Sequence, residues 1–373
     1  MHSDRKTHRR DFLTGRSAVD ALADLGDRLI PNEPDAPAIS HDLAARPYLV
    51  QFSRSAMATQ FEVFLNAGQY PQGPCAAFEA LDLIERLEAQ MTVFRDTSEI
   101  MAINRTAADG PVQVESQLFQ LLQLAAELYR ETQGALDITS GPLSKIWGFY
   151  RRQGSIPNER DLADTLTHVG FDLVRLDAEE QAVRFERAGV ELNLGCIGKG
   201  YALDRAAARL VEAGVNDFLW HGGQSSVLAR GRSGDGSSQG SPWWIGIRDP
   251  LRPMRRMARI RLCDRALATS GCGAQFFRHR GRRFGHILDP RSGWPADGVL
   301  SATAIAPTAA LADALSTAFY VMGVEKTFEF CDQHPHVAAV MVRAAQRKGA
   351  SQLLTAGISD PDLRLVEEAK ALR

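Results

Sequence analysis

The 373-residue chain has no uninterrupted apolar run of the ~18 residues needed for a membrane-spanning helix, so no part of it is read as crossing a bilayer. It has no Cys-x-x-Cys pair and no cysteine–histidine spacing of a zinc site. Its five cysteines, Cys75, Cys196, Cys263, Cys272 and Cys331, are scattered and odd in number; this argues against a disulfide framework and for small buried apolar side chains. A net charge of −2 gives no overall attraction for nucleic acid. No repeat is present. Strand and helix patterns do not alternate regularly, which excludes a doubly wound parallel sheet and leaves an α+β fold. With 45% hydrophobic and 24% charged residues, the composition is that of a globular protein with a large core, in one big domain or two intimate ones.

The N-terminus also lacks something. Residues 8–13, HRRDFL, look like the twin-arginine start of an export signal, but the apolar segment that should follow is replaced by charges every few residues. Residues 1–46 are therefore expected to be a polar, partly disordered leader with no cleavable signal. A cytoplasmic location is favoured, with function at the cell envelope as the alternative. The Pro- and Asp-rich stretch 31–41 reads as a linker, so the main domain is drawn over 47–347, with 348–373 as a C-terminal extension.

The most informative stretch is 191–205, ELNLGCIGKGYALDR. Val190, Leu192 and Leu194 alternate with polar residues as in a strand, and an Ala-rich helix follows from Tyr201. Gly195, Gly198 and Gly200 bring the intervening backbone close to a neighbour. A glycine turn opening a helix is a good anion site, because free N–H groups and the helix dipole favour negative charge. Lys199 adds a mobile positive charge. The stretch has neither the GK[ST] of a Walker loop nor the G-x-G-x-x-G fingerprint, and a plain strand-to-helix turn with a solvated lysine fits it equally well.

Elsewhere, amphipathic spacing predicts a helix through Phe78, Leu81, Ile84, Leu87 and Met91 and another from Leu118 to Tyr129 that stops near Gly134. Ser98 is placed as an N-cap, as is Thr308 for a helix over 309–322. Strands are expected at 61–65, 190–194, 218–220, 244–247, 258–262, 302–305 and 337–342. A hairpin is expected where LDAEEQ separates VRL from VRF, and 231–241 reads as a flexible surface loop.

Asp313 and Thr317 lie at i and i+4 of the last helix, so a carboxylate and a hydroxyl share one face, with Ser316 nearby. Two hard oxygens so placed suit Mg²⁺; a helix with a solvated Asp fits the same residues. His286 precedes Asp289 by three residues in GHILDPRSG, and a carboxylate near a histidine can hold it as a general base. The segment GALDITSGPL, continuing to Trp147 and Phe149, offers aromatics beside a turn, which suit a planar ring or a core. HGGQ after Trp220, WWIGIRDP at 243–250 and Thr269-Ser270-Gly271 are further strand ends and turns.

Taken in order, Met57 and Thr59, GALDITSGPLSKIWGF, LNLGCIGKGYALDRA, HGGQ, WWIGIRDP, ATSG, HILDPRSG and ADALSTAFYVMG resemble the ApbE-type FAD:protein FMN transferases over roughly Tyr48 to Arg347. The resemblance implies a T-fold-like, two-part α+β structure of mostly antiparallel sheets with packed helices, the flavin lying in the cleft between. It implies Mg²⁺-dependent transfer of FMN from FAD to a Thr or Ser hydroxyl of an acceptor protein, releasing AMP. The metal ligands are expected to be Asp313, Thr317 and the main-chain carbonyl of Cys196. The catalytic group is expected to be His286 as base, Lys199 at the phosphates and Asp289 as an orienting carboxylate. Flavin-nucleotide contacts are expected from Met57, Phe94, Ala135, Leu136, Asp137, Asn193, Lys199, His286 and Leu288. Family acceptors carry an Asp-Gly-x-Ser/Thr-Gly-like site, typically in membrane redox subunits. The chain departs from the family pattern at Asn193, where Asp is usual, at Ala58, where Gly is usual, and at Phe94, where Tyr is frequent. A Mg²⁺-dependent FAD pyrophosphatase giving FMN and AMP, and a flavin binder without catalysis, are the alternatives.

Overall fold

The computed structural model describes residues 48–234, 240–271, 273, 275–347 and 349–366. The expected leader and its twin-arginine run lie outside the described residues, as do Cys272 and the centre of the 231–241 loop.

The described residues fall within one compact unit. The chain opens with hairpin β1 (Leu49–Ala56) and β2 (Thr59–Asn66), followed by α1 (Gly73–Met91) and α2 (Glu99–Thr106). The expected apolar seam of α1 is buried at Leu81, Ile84, Leu87 and Met91. Phe78 is half-exposed instead and meets Phe52 of β1 edge-on, ring centroids 5.4 Å apart. Ser98 caps α2, its hydroxyl accepting from Met101 N–H. Next come β3 (Val112–Gln113), α3 (Ser116–Glu131), α4 (Gly141–Ile146), α5 (Glu159–Leu166) and the expected hairpin β4 (Val174–Asp177) and β5 (Ala182–Phe185). Beyond the glycine turn run α6 (Gly198–Glu212), β6 (Phe218–Gly222), β7 (Ser226–Arg230), β8 (Trp243–Asp249), β9 (Arg252–Leu262) and β10 (Arg265–Gly271). Hairpin β11 (Phe276–His279) and β12 (Arg282–Gly285) precedes β13 (Ser301–Ala306), α7 (Ala309–Gln333), β14 (Ala338–Ala344), β15 (Ser351–Ala356) and β16 (Leu363–Leu365).

The main sheet has eight strands in the order β1-β2-β6-β7-β10-β13-β14-β15, every pair antiparallel. Beyond residue 347, where the sequence placed an extension, β15 forms the edge of this sheet and β16 pairs with β9. In β13 and β14, Ala302, Ala304, Ala339 and Met341 face the helical core, while Ile305, Val340 and Val342 face the β16-β9-β8 sheet. Burial on both faces explains why these strands read as continuous apolar runs. A third, smaller core gathers Leu143, Trp147, Phe149, Leu162, Phe284 and Leu288. Among the described residues no helix is long and apolar enough to cross a membrane.

Two expectations about backbone are corrected. Residues 190–194 alternate as a strand but join no ladder. Leu192 N–H donates to Asn104 Oδ1 at 2.7 Å and Asn193 N–H to the Ile138 carbonyl at 2.7 Å, so side chain and loop satisfy the donors a sheet would have used. Strand β1 was not expected, because LVQFSRSA is polar and lies at a sheet edge, largely exposed. The helix expected to end near 322 breaks at Gly323 (φ +81) and then resumes to Gln333.

Candidate active site

The glycine turn positions the site by letting two helices touch. A Cβ on Gly200 would fall 2.0 Å from the carbonyl oxygen of Ala309, so the first turns of α6 and α7 meet backbone to backbone. Asp204 of α6 then reaches the N-terminus of α7 and accepts from Ala309 and Ala310 N–H at 2.7 and 2.8 Å. Its burial pushes the carboxyl up to about 6, against the pull of those two donors. Thr308 completes the cap, accepting from Leu311 N–H at 3.3 Å.

This crossing brings Asp313, one turn into α7, against the start of α6. Its carboxylate accepts from Gly200 N–H at 3.1 Å and from the Ser226 hydroxyl at 3.0 Å, and it pairs with Lys199 Nζ at 3.2 Å. The Asp313 side chain is 6% exposed and that of Lys199 25%. A buried carboxylate so close to an ammonium is the arrangement in which a cation is needed whenever the lysine turns to another anion. Thr317, on the same face, shares a hydrogen bond with Ser270 at 3.1 Å. Ser316 does not assist: its hydroxyl is spent on Ser270 (2.9 Å) and on the Asp313 carbonyl (2.9 Å).

The N–H groups of the glycine turn are mostly engaged, which corrects the simple anion-cradle reading. Gly195 donates to Asn193 Oδ1, Ile197 and Gly198 donate to the Leu194 carbonyl, and Gly200 donates to Asp313. Positive potential here comes from Lys199 more than from free backbone.

A cavity of about 400 Å³ collects Asn193, Cys196, Lys199, Asp313, Thr317, His286 and Leu288, together with the hydroxyls of Ser140, Ser144, Ser225, Thr269 and Ser270. The main sheet and α6–α7 supply one wall; α4 and the turn after β12, which belong to the third core, supply the other. A second cavity of about 310 Å³ is lined by Met57, Ala58, Phe94, Asn193, Gly195 and Lys199 among others, and so shares its inner wall with the first. Phe94 is 70% exposed and stacks on Tyr150 with centroids 4.8 Å apart, so a flat aromatic surface already stands at this mouth. A larger groove of about 650 Å³ lies elsewhere, between α3, α6 and β7, and holds none of these residues.

The remaining expected residues divide. His286 is half-buried, its Nδ1 3.1 Å from the Gln275 carbonyl. Desolvation, with the charge of Lys199 in support and the Gln275 carbonyl opposing, holds the imidazole below its ordinary range and so neutral near pH 7. Asp289 is not its partner: both carboxylate oxygens are taken by Arg291 at 2.8 Å, and the tight turn 289–293 closes on them. Cys196 lines the cavity; desolvation, with Asp313 nearby, pushes its thiol up to about 12, and as a soft donor the thiol suits Mg²⁺ less than the main-chain carbonyl does. Ala135, Leu136 and Asp137 are buried and line neither cavity. Asp137 accepts from Thr139 N–H and Oγ1–H at 2.8 and 2.7 Å, yet burial still lifts it to about 6. Ser226, which holds Asp313, and Asp204, which caps α7, were missed; in one sequence, neither stands out from neighbouring serines and helix carboxylates.

The departure at Ala58 has a local consequence. Ala56 pairs with Thr59, so Met57 and Ala58 form a two-residue hairpin turn, and both have positive φ, +50 and +57. A Cβ in this region costs about 1–2 kcal/mol. Ala58→Gly is expected to raise stability by about 0.5–1 kcal/mol after the entropy of glycine is counted; a lower denaturation midpoint would contradict this.

Around Asp313 the cavity offers one carboxylate, hydroxyls and main-chain carbonyls, with His286 and the Cys196 thiol also on its lining; among the described residues no cluster of three or more His, Cys, Asp or Glu is placed to hold a metal. Hard oxygens of this kind fit Mg²⁺, which keeps most of its shell for water and phosphate, and do not fit a zinc centre.

The family model described as the ApbE family matches residues 57–341. The FAD:protein FMN transferase of Haemophilus influenzae is 28% identical over 305 residues, covering 79% of this chain and 87% of that protein. That of Klebsiella pneumoniae is 31% identical over 294 residues, covering 78% and 89%. The crystal structure of the ApbE protein from Thermotoga maritima superposes with a TM-score of 0.73 at 28% identity, covering 87% of this chain and 99% of that one. With its family match spanning most of the folded unit and its antiparallel α+β fold shared with such structures, the chain belongs to the ApbE family.

Proposed function

We propose that this enzyme transfers FMN from FAD to a Thr or Ser hydroxyl of an acceptor protein, releasing AMP. The observation that carries the reading is the convergence of Lys199, Asp313, Thr317, His286 and the Cys196 main chain on one cavity that opens beside Phe94 and Met57. The relatives named above carry FMN transfer from FAD to protein in their names, which supports the coarser part of this reading.

In this reading the isoalloxazine lies toward Met57 and the Phe94–Tyr150 stack, and the pyrophosphate lies at Lys199. The acceptor oxygen bonds to the phosphorus that bears riboflavin, and the bond from that phosphorus to the AMP oxygen breaks. His286, neutral and open at Nε2, takes the hydroxyl proton. Lys199 turns from Asp313 to the phosphoryl oxygens and offsets their charge. Asn193, which holds Gly195 N–H, keeps the turn beside them in shape without adding a negative charge. Asp313, Thr317 and the Cys196 carbonyl would hold Mg²⁺, which, when bound, offsets negative charge on pyrophosphate oxygens. Asp289, paired with Arg291, shapes the turn that carries Leu288 and does not relay a proton. The acceptor carries an Asp-Gly-x-Ser/Thr-Gly-like site in a membrane redox subunit.

Product analysis tests the reading. With FAD, Mg²⁺ and a peptide bearing that site, AMP and flavinylated peptide should form in equal amounts, and EDTA should stop both. AMP with free FMN at the same rate, peptide or not, would make the protein a pyrophosphatase; intact FAD throughout would make it a binder.

A further inference from the structure

A third cavity, of about 550 Å³, reaches His286 from outside. It is lined by Ala58, Phe149, Arg152, Gln153, Gly154, Gln275, Phe276, Phe277 and His286, so it shares His286 with the central cavity and Ala58 with the flavin-side one. Its walls are two loops packed together. Gln275 Nε2 donates to the Phe149 carbonyl at 3.0 Å, Phe149 and Phe277 lie 5.6 Å apart, and Gly154 fits so tightly under Phe277 that a Cβ would fall 2.5 Å from its ring.

Arg152 lines this cavity, and the two segments that wall it are rich in arginine. Residues 138–158 and 265–288 contain no Asp or Glu, yet they contribute Arg151, Arg152, Arg278, Arg280, Arg282 and Arg283, the last two lining a neighbouring cavity. All six are exposed. Among the described residues, Arg151, Arg152, Arg278 and Arg280 have no carboxylate within ion-pair distance. Arg152 and Arg280 also occupy left-handed backbone, φ +55 and +48, with Arg280 and Gly281 forming the two-residue β11–β12 turn. Glycine or asparagine holds such positions at about 1 kcal/mol less cost, so turn chemistry does not account for an arginine at either. Phe276, 43% exposed beneath the Arg283 guanidinium at 3.7 Å, adds an apolar contact at the same edge.

From these observations we infer that this cavity is the entry for the acceptor and that Arg152, with the unpaired arginines of the two segments that wall the cavity, selects an acidic polypeptide segment around the reacting hydroxyl. The inference rests on the proposed transfer, which needs a hydroxyl to reach His286 from a side the nucleotide leaves open. Unpaired arginines at a mouth steer and hold carboxylates, and the effect weakens with salt.

The test uses the full-length protein with FAD and Mg²⁺ and fluorescent peptides that share an Asp-Gly-x-Thr-Gly core. One peptide has flanks of Asp and Glu, the other of Asn and Gln; anisotropy gives Kd, and flavinylation is measured in the same samples. At low salt the acidic peptide should bind at least about tenfold tighter. That preference should fall with salt and vanish in the R152E/R278E/R280E variant, with FAD affinity unchanged. The milder R278Q/R280Q pair should lose part of it. Equal Kd for the two peptides, or a preference that survives both variants, would overturn the surface even if transfer proceeds. Binding to phosphatidylserine vesicles over phosphatidylcholine ones, without preference between the peptides, would give the arginines to a membrane and overturn it equally. Selective, arginine-dependent binding without any flavinylation would uphold the surface and count against the proposed reaction instead.

Discussion

Asp313→Asn is expected to lower Mg²⁺-dependent FMN transfer by about a thousandfold or more. The amide keeps the volume of the carboxylate and its acceptor for Gly200 N–H, so packing at the α6–α7 crossing is preserved. What is lost is the only formal negative charge among the expected metal ligands, and with it the pairing to Lys199. The lysine is 25% exposed, so it can turn to solvent, and the fold should survive with a modest loss of stability. Circular dichroism and FAD binding would verify the fold; titration with Mg²⁺ would then show a rate that no longer responds to the ion. Transfer at the unchanged rate under limiting Mg²⁺ would remove Asp313 from the metal site.

His286→Ala is expected to slow transfer by about 10²–10⁴-fold while changing FAD affinity only a few-fold. The histidine sits where the central cavity meets the outer one lined by Arg152, with one ring nitrogen held by the Gln275 carbonyl. Its proton affinity is lowered, mainly by desolvation and further by Lys199, so the base form predominates above pH 6.5. The sign follows directly: a neutral base loses activity only as pH falls through its depressed pKa. The acid limb due to this group should therefore have its midpoint below 6.5, with the rate levelling off above it, and the alanine variant should lack that limb. Weakened FAD binding with an unchanged chemical step would reject the base role.

Much of the site is legible in the sequence because its parts lie on regular elements. The i, i+4 spacing of Asp313 and Thr317 fixes a common face once the helix is recognised, and the Thr308 cap marks where that helix begins. The glycines of 195–200 signal close backbone approach, but not its target: Gly200 serves a helix crossing with α7, and a single sequence does not contain that long-range partner. The same limit explains the strand expected at 190–194. Its alternation reports burial on one side, which it has, whereas the ladder it lacks depends on Asn104 and Ile138 far along the chain. His286 and Asp289 are close in sequence, and that closeness misled: the 289–293 turn directs the carboxylate to Arg291 and leaves the histidine to a backbone carbonyl. The proposed acceptor entry was invisible for a related reason, since the two acid-free stretches that wall it lie more than a hundred residues apart and meet only through the packing of Phe149, Gly154 and Phe277.

In the proposed reaction a protein hydroxyl, not water, receives the flavin phosphate. Intact-mass spectrometry of an acceptor peptide after incubation with the enzyme, FAD and Mg²⁺ tests it most directly. The expected result is a gain equal to FMN less one water, on the Thr or Ser of the acceptor site, absent with EDTA and absent with Asp313→Asn. An unmodified acceptor beside FAD fully converted to FMN and AMP would contradict it.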